Sequence, residues 1–157
     1  MTDKDKEYLS MAIEIAKKNI ESGGGPFGSV VVKGDEIISS SGNRVVPDND
    51  PTAHAEVNVI RKAAKKLNTF NLEGCEIYTS CEPCPMCFGA IYWSRLDRIY
   101  FANDRNDAKN IGFDDSFIYD EIQKPIEERK IKTIIILRDE ALEAFKNWQK
   151  KTDKIEY

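Results

Sequence analysis

The sequence contains no long hydrophobic run. Its longest strongly apolar stretch, "TIIIL" at 133–137, falls far short of the about 20 residues that a membrane-spanning helix needs. It also has no surplus of positive charge: 23 Lys and Arg stand against 27 Asp and Glu, giving a net charge of −4. That gives no electrostatic footprint of the kind a nucleic-acid-binding protein shows as a clustered basic face; negative charge of this size serves solubility. The first residues, "MTDKDKEYLS", are charged where a secretory signal turns apolar, so a cytoplasmic location is expected. Histidine occurs once, as His54, and cysteine four times, three of them within seven residues in "CEPCPMC" (81–87). In a reducing compartment, clustered cysteines are metal ligands or redox groups before they are structural disulfides.

The chain is long enough, at 157 residues with 41% hydrophobic composition, for one domain with a substantial core. Residues 3–21 carry Tyr8, Leu9, Ala12, Ile13 and Ala16 at helical spacing among charged positions. "SGGGP" (22–26) ends that helix. "FGSVVVK" and "EIISSS" predict two strands joined at Gly34–Asp35, followed by a polar loop, "GNRVVPDND". Residues 51–67 predict a second helix, with Asp50 as N-cap and Pro51 at the first helical position. Then come a strand at 75–80, a helix at 84–94 and a strand at 98–102. A polar and aromatic stretch with short helical turns leads to a buried strand at 131–137 and a closing amphipathic helix at 139–151. Alternating strands and helices, without repeats or a linker, predict a single layered α/β domain with a mostly parallel or mixed sheet.

Cys84 and Cys87 lie three residues apart at the start of the third helix, so one helix face brings both sulfurs to one ion. The positive end of the helix favours thiolates, the form that binds metal. His54, near the start of another helix, supplies a nitrogen. Imidazole with soft sulfur points to zinc, and three protein ligands leave the fourth tetrahedral position open, the catalytic pattern. Cys81 decides this point: its spacing allows ligation, which would close the site, but its place at the end of a strand lets its side chain point elsewhere. Cys75 begins an apolar strand and reads as core. Glu56, two residues after His54, is suited to take a proton from an acidified water and pass it to a substrate atom. Positions i and i+2 of a regular helix do not share a face, so Glu56 needs either a distorted first turn or a reach around the helix.

"HAE" (54–56) followed by "PCPMC" (83–87) resembles the signature of zinc-dependent nucleobase and nucleoside deaminases. The stretches "GGPFGSVVVK", "NDPTAHAEV", "YTSCEPCPMCFGAIYW", "GFDDSFIYDEI" and the terminal "EY" extend the likeness over the whole length to the bacterial guanine deaminases of the cytidine/deoxycytidylate deaminase superfamily. The resemblance implies a three-layer α/β/α sandwich around a five-stranded mixed sheet. It implies one zinc ion per subunit on His54, Cys84 and Cys87, with Glu56 as proton shuttle and Asp115 as a second catalytic carboxylate. Phe27, Asn43, Ala55, Trp93 and Tyr157 are implied to bind or enclose the purine. The expected reaction is hydrolysis of guanine to xanthine and ammonia. The expected assembly is a homodimer with exchanged C-terminal segments, from about 130 to 157, and no nucleic-acid partner is expected.

Taken without the resemblance, several of these residues have plainer roles. Phe27 and Trp93 fit a core, Asn43 a turn, and Asp114 and Asp115 a helix cap. Two other functions remain compatible with the motifs. A tRNA adenosine deaminase, or a deaminase of a related free base or nucleoside, shares "HAE" and "PCxMC". A structural zinc module without chemistry would need a fourth protein ligand and no Glu56.

Overall fold

The computed structural model describes residues 2–157, which form two compact units, one ending at Asp115 and one spanning Ser116–Tyr157. The first unit opens with α1 (Asp3–Glu21). Thr2 caps it: its side chain accepts from the Asp5 amide, while the Asp5 carboxylate accepts from the Thr2 amide, a reciprocal capping box. The strands β1 (Gly28–Lys33) and β2 (Glu36–Gly42) follow, then a single helical turn, α2 (Val45–Asp48), inside the loop expected from "GNRVVPDND". After α3 (Ala55–Leu67) come β3 (Cys75–Cys81), α4 (Pro85–Trp93), β4 (Arg98–Asn103) and the short α5 (Arg105–Asn110).

The strands form one sheet in the order β2-β1-β3-β4. The β1–β2 and β1–β3 pairs are antiparallel and the β3–β4 pair is parallel, so the sheet is mixed. Helices cover both faces, which explains why β1 is buried along Gly28–Val32 instead of alternating with solvent. Its side chains still alternate between two cores. Val30 and Val32 join Tyr78, Tyr8 and Ala12 beneath α1. Val31 joins Ile77, Val59, Ala63 and Ile91 beneath α3 and α4. Polar pairs fasten β1 to β3 inside this packing: the Ser29 hydroxyl hydrogen-bonds the Thr79 hydroxyl at 2.9 Å, and the Gly28 amide donates to Ser80 Oγ at 3.1 Å.

The three-layer arrangement expected from the sequence is present, with one strand fewer. Residues 131–137 belong to no ladder, and the sheet has four strands. The apolar composition that predicted a buried strand is instead exposed: Ile131, Ile134, Ile135, Ile136 and Leu137 all face solvent within the chain. The second unit consists of α6 (Ser116–Gln123), a 3-10 turn at Ile126–Glu128, this extended segment, and α7 (Arg138–Lys150). Among the described residues no helix is long and apolar enough to cross a membrane.

The helix α3 starts at Ala55 and not, as the sequence predicts, at Pro51. Asp50 spends its carboxylate on a local turn, accepting from the Thr52 amide and hydroxyl, both at 2.7 Å. The chain therefore turns once more before the helix begins, and His54 becomes the N-cap. Ile77 of β3 is wholly buried beneath α3 and α4. Ile77→Ala is expected to lower stability by about 2–5 kcal/mol, the range for large-to-small core substitutions, measured by denaturant unfolding.

Candidate active site

The register of the sheet gathers the candidate residues at one end of it. Gly28 pairs with Gly42, and Ser29 with Thr79, so the start of β1 lies beside the ends of β2 and β3. Phe27 immediately precedes β1, Asn43 immediately follows β2, and Cys84 follows β3 after a short turn. His54 and Cys84 are the N-caps of α3 and α4, both with extended backbone, at φ −65°, ψ 155° and φ −64°, ψ 168°. Pro85 occupies the first helical position of α4, where its missing N–H costs nothing. Cys87 follows one turn in and is fully buried.

These three side chains converge. His54 Nδ1 lies 3.6 Å from Cys84 Sγ and 3.5 Å from Cys87 Sγ. A tetrahedral zinc with bonds of about 2.0–2.1 Å to nitrogen and about 2.3 Å to sulfur requires a nitrogen–sulfur edge of about 3.6 Å. The donors therefore fit one zinc ion without rearrangement, and all three ligand atoms lie within 4.8 Å of one another. Nδ1 is the nitrogen turned towards both sulfurs, so it would ligate the ion, with the proton on Nε2.

The electrostatics match the same assignment. Cys84 is held down at about 4, first by a hydrogen bond from Cys87 and then by His54. Cys87 is pushed up as the donor of that bond and by burial. Cys84 also raises His54 by hydrogen bonding.

Cys81 lies outside the cluster. Its side chain is buried at the end of β3, with Sγ 3.6 Å from the Asp104 carbonyl. Burial, followed by the nearby Glu56 charge, pushes its thiol up to about 11, so it stays protonated. Cys75 is a wholly buried core residue of β3.

Glu56 is only 6% exposed and lies beside the cluster, close enough to Cys84, His54 and Cys87 for all three to act on its carboxyl. The spacing problem seen in the sequence has a simple resolution. His54 stands outside the helix with extended backbone, so the helical i, i+2 geometry does not apply and no distorted turn is needed. Burial is the main cause that raises Glu56 above the usual carboxylate range, followed by the negative charge of Cys84. A carboxyl with raised proton affinity next to a metal site is suited to proton transfer near neutral pH.

The expected purine contacts are placed unevenly. Phe27 is half-buried, and its ring lies perpendicular to that of Phe113, at a centroid distance of 4.9 Å and an interplanar angle of 87°. Phe113 was not singled out from the sequence, although it lies in the quoted stretch "GFDDSF". Asn43 is buried, and its Oδ1 accepts from the Val45 amide at 3.1 Å, which leaves the Nδ2 hydrogens as the donors it can offer a ligand. Ala55 is wholly buried as the first residue of α3. Asp115 is half-buried and raised by burial and then by the charge of Cys84, which puts it within electrostatic reach of the cluster. Asp114 instead pairs with Lys109 at 3.2 Å. Trp93, at the end of α4, is exposed and not a core residue; Tyr157 is an exposed residue of the second unit.

Three protein donors, one remaining coordination position and a buried carboxyl beside them define the site of a metal-dependent hydrolase. Comparison with known proteins specifies the class further. The family model of the cytidine and deoxycytidylate deaminase zinc-binding region matches residues 2–103. Guanine deaminase of Bacillus subtilis is 50% identical over 151 residues, covering 96% of this chain and 97% of that protein. The crystal structure of guanine deaminase from Bacillus subtilis aligns with a TM-score of 0.94 at 49% identity, covering 97% of this chain and 98% of that one. A tRNA-specific adenosine deaminase of Aquifex aeolicus is 47% identical over 98 residues, covering 62% of this chain and 65% of that protein. The chain belongs to the zinc-binding cytidine and deoxycytidylate deaminase family.

Cys81→Ser is expected to retain about one zinc per chain by elemental analysis, because that thiol is no ligand. Cys87→Ser should lose most of the metal.

Proposed function

We propose that this protein is a guanine deaminase that hydrolyses guanine to xanthine and ammonia. The observation that carries the reading is the extent of the likeness. A relative that shares nearly the full length, including the second unit, is a guanine deaminase, whereas the likeness to the tRNA-specific enzyme covers 62% of the chain. The net charge of −4 also favours a small free base over a polynucleotide.

His54, Cys84 and Cys87 would hold the zinc, which would supply Lewis acidity to a water molecule. Glu56 carries the protons: its buried carboxylate takes one from the water and delivers it to the ring nitrogen next to C2. As the water oxygen bonds to C2, moving its remaining proton to the exocyclic nitrogen lets the C2–N bond break, with ammonia leaving and the C2 carbonyl forming. Phe27 stacks on the purine, and the perpendicular contact with Phe113 fixes the plane of its ring. Asn43 donates from Nδ2 to a purine acceptor. Ala55, with its side chain buried, meets the base through its backbone at the helix N-terminus, where N–H groups lack intrahelical partners. Asp115 binds the guanine edge and relays a proton. Trp93 and Tyr157 enclose the pocket.

The whole of 1–157 works as one deaminase domain in a homodimer that exchanges its C-terminal segments from about residue 130. The five exposed aliphatic residues of 131–137, with Phe145 and Trp148 exposed on α7, support this, because such a surface on a small chain marks an interface. In the exchanged dimer Tyr157 closes the partner's pocket. The cytoplasm suits an enzyme whose four cysteines are all free thiols and whose metal site needs them reduced.

Glu56→Gln should keep its zinc and lose about 10²–10⁴-fold in ammonia release from guanine, the range for a positioned acid–base group. Unchanged turnover would remove Glu56 from the mechanism. A panel of guanine, guanosine, adenine and cytosine tests the substrate: activity on adenine or cytosine alone would refute the guanine reading. Co-refolding inactive Glu56→Gln chains with chains lacking Tyr157 should restore activity, since each mixed dimer contains one intact pocket. Failure to recover any would argue against exchange.

A further inference from the structure

Two asparagines outside the described chemistry grip the backbone around Asn43. Asn19, in the last turn of α1, is half-buried and donates through Nδ2 to the Gly25 carbonyl and to the Asn43 carbonyl, both at 2.7 Å. An amide nitrogen has two hydrogens, and both are used. Asn58, in the first part of α3, does the same from the other side of the sheet. Its Nδ2 donates to the Gly42 carbonyl at 3.2 Å and to the Ala53 carbonyl at 3.1 Å. Backbone bonds complete the joint: the Asn43 amide donates to the Phe27 carbonyl at 3.0 Å, and the Arg44 amide to the Ala53 carbonyl at 2.8 Å.

Close packing shows that the Asn19 position was given space. A methyl group added at Gly42 would come within 2.3 Å of Asn19 Cγ, and one at Gly24 within 2.3 Å of Asn19 Nδ2. These glycines leave room for the carboxamide to reach both carbonyls.

We propose that Asn19 and Asn58 are positioning residues for the deamination. Together they set the end of β2, which presents Asn43, against the turn that presents Phe27 and the loop that presents His54. The inference rests on the reading that Asn43 and Phe27 meet the base. Asn19 sets the distance between those two residues, and Asn58 sets the distance from Asn43 to the metal site. Such distances matter steeply, since a displacement of about 1 Å in a reacting pair can cost about 10²-fold in rate.

The test uses the full-length, zinc-loaded protein with Asn19→Ala, Asn19→Asp and Asn58→Ala. KM and kcat are read with whichever base the substrate panel shows to be turned over, so a failure of the guanine reading leaves this test intact. Hydrogen–deuterium exchange of the segment 41–46 provides a readout that needs no substrate. KM is expected to rise about tenfold in each variant, with kcat falling less, zinc content unchanged and exchange at 41–46 accelerated. Asn19→Asp keeps the shape and loses both donors, so it should be at least as impaired as Asn19→Ala. Val32→Ala, which opens the core beneath α1 without touching the joint, controls for lost stability. Wild-type KM and exchange in Asn19→Ala would overturn the proposal. So would an equal rise in KM in Val32→Ala at a similar thermal midpoint.

Discussion

Everything in the first unit that bears on chemistry depends on two helices starting at the same place. His54 and Cys84 are both N-caps, and the extended backbone of a cap lets each side chain reach past the helix end instead of lying along it. The 3.5 and 3.6 Å separations from Nδ1 to the two sulfurs follow from that arrangement. Removing either cap geometry would still leave a nitrogen and two sulfurs in the chain, but not on one tetrahedral edge set. Glu56 depends on it too, because the carboxylate reaches the cluster only if the histidine stands outside the helix.

The sheet supplies the remaining order. Antiparallel β1 beside parallel β3 and β4 puts the start of one strand next to the ends of its neighbours. Residues widely separated in sequence, Phe27, Asn43 and Cys84, therefore leave the sheet from the same end. In α/β sheets, ligand sites favour the carboxyl ends of strands, where helices begin and connections diverge. Here the two helices that begin there bring the metal donors, and the loops beside them bring the aromatic and amide groups.

The metal donors were legible in the sequence because their spacing carries direct geometric meaning. A pair of cysteines three apart at a helix start can face one ion whatever the rest of the fold does. The layer order was legible from the alternation of strands and helices. The start of α3 was not, because Asp50 reads equally as a helix cap and as a local turn, and only the chain path chooses between them. The fate of 131–137 was hidden for a different reason. Composition reports that a segment is fit for burial, and says nothing about which surface buries it. Asn19 and Asn58 gave no signal at all: a polar residue at half-buried helix positions looks like any other until the carbonyls opposite are known.

The triple valine of β1 has a further consequence. A strand with equivalent side chains on both faces is poorly protected against slipping by one residue, since either face would present valine to either core. The hydroxyls must then fix the alignment, Ser29 on Thr79 and Ser80 on the Gly28 amide. A misaligned strand would keep nearly all its oil-like packing yet shift Phe27 by about 3.3 Å, the rise per strand residue. The placement of Phe27 at the end of the sheet is thus guarded by a few buried hydroxyl groups on the strands behind it.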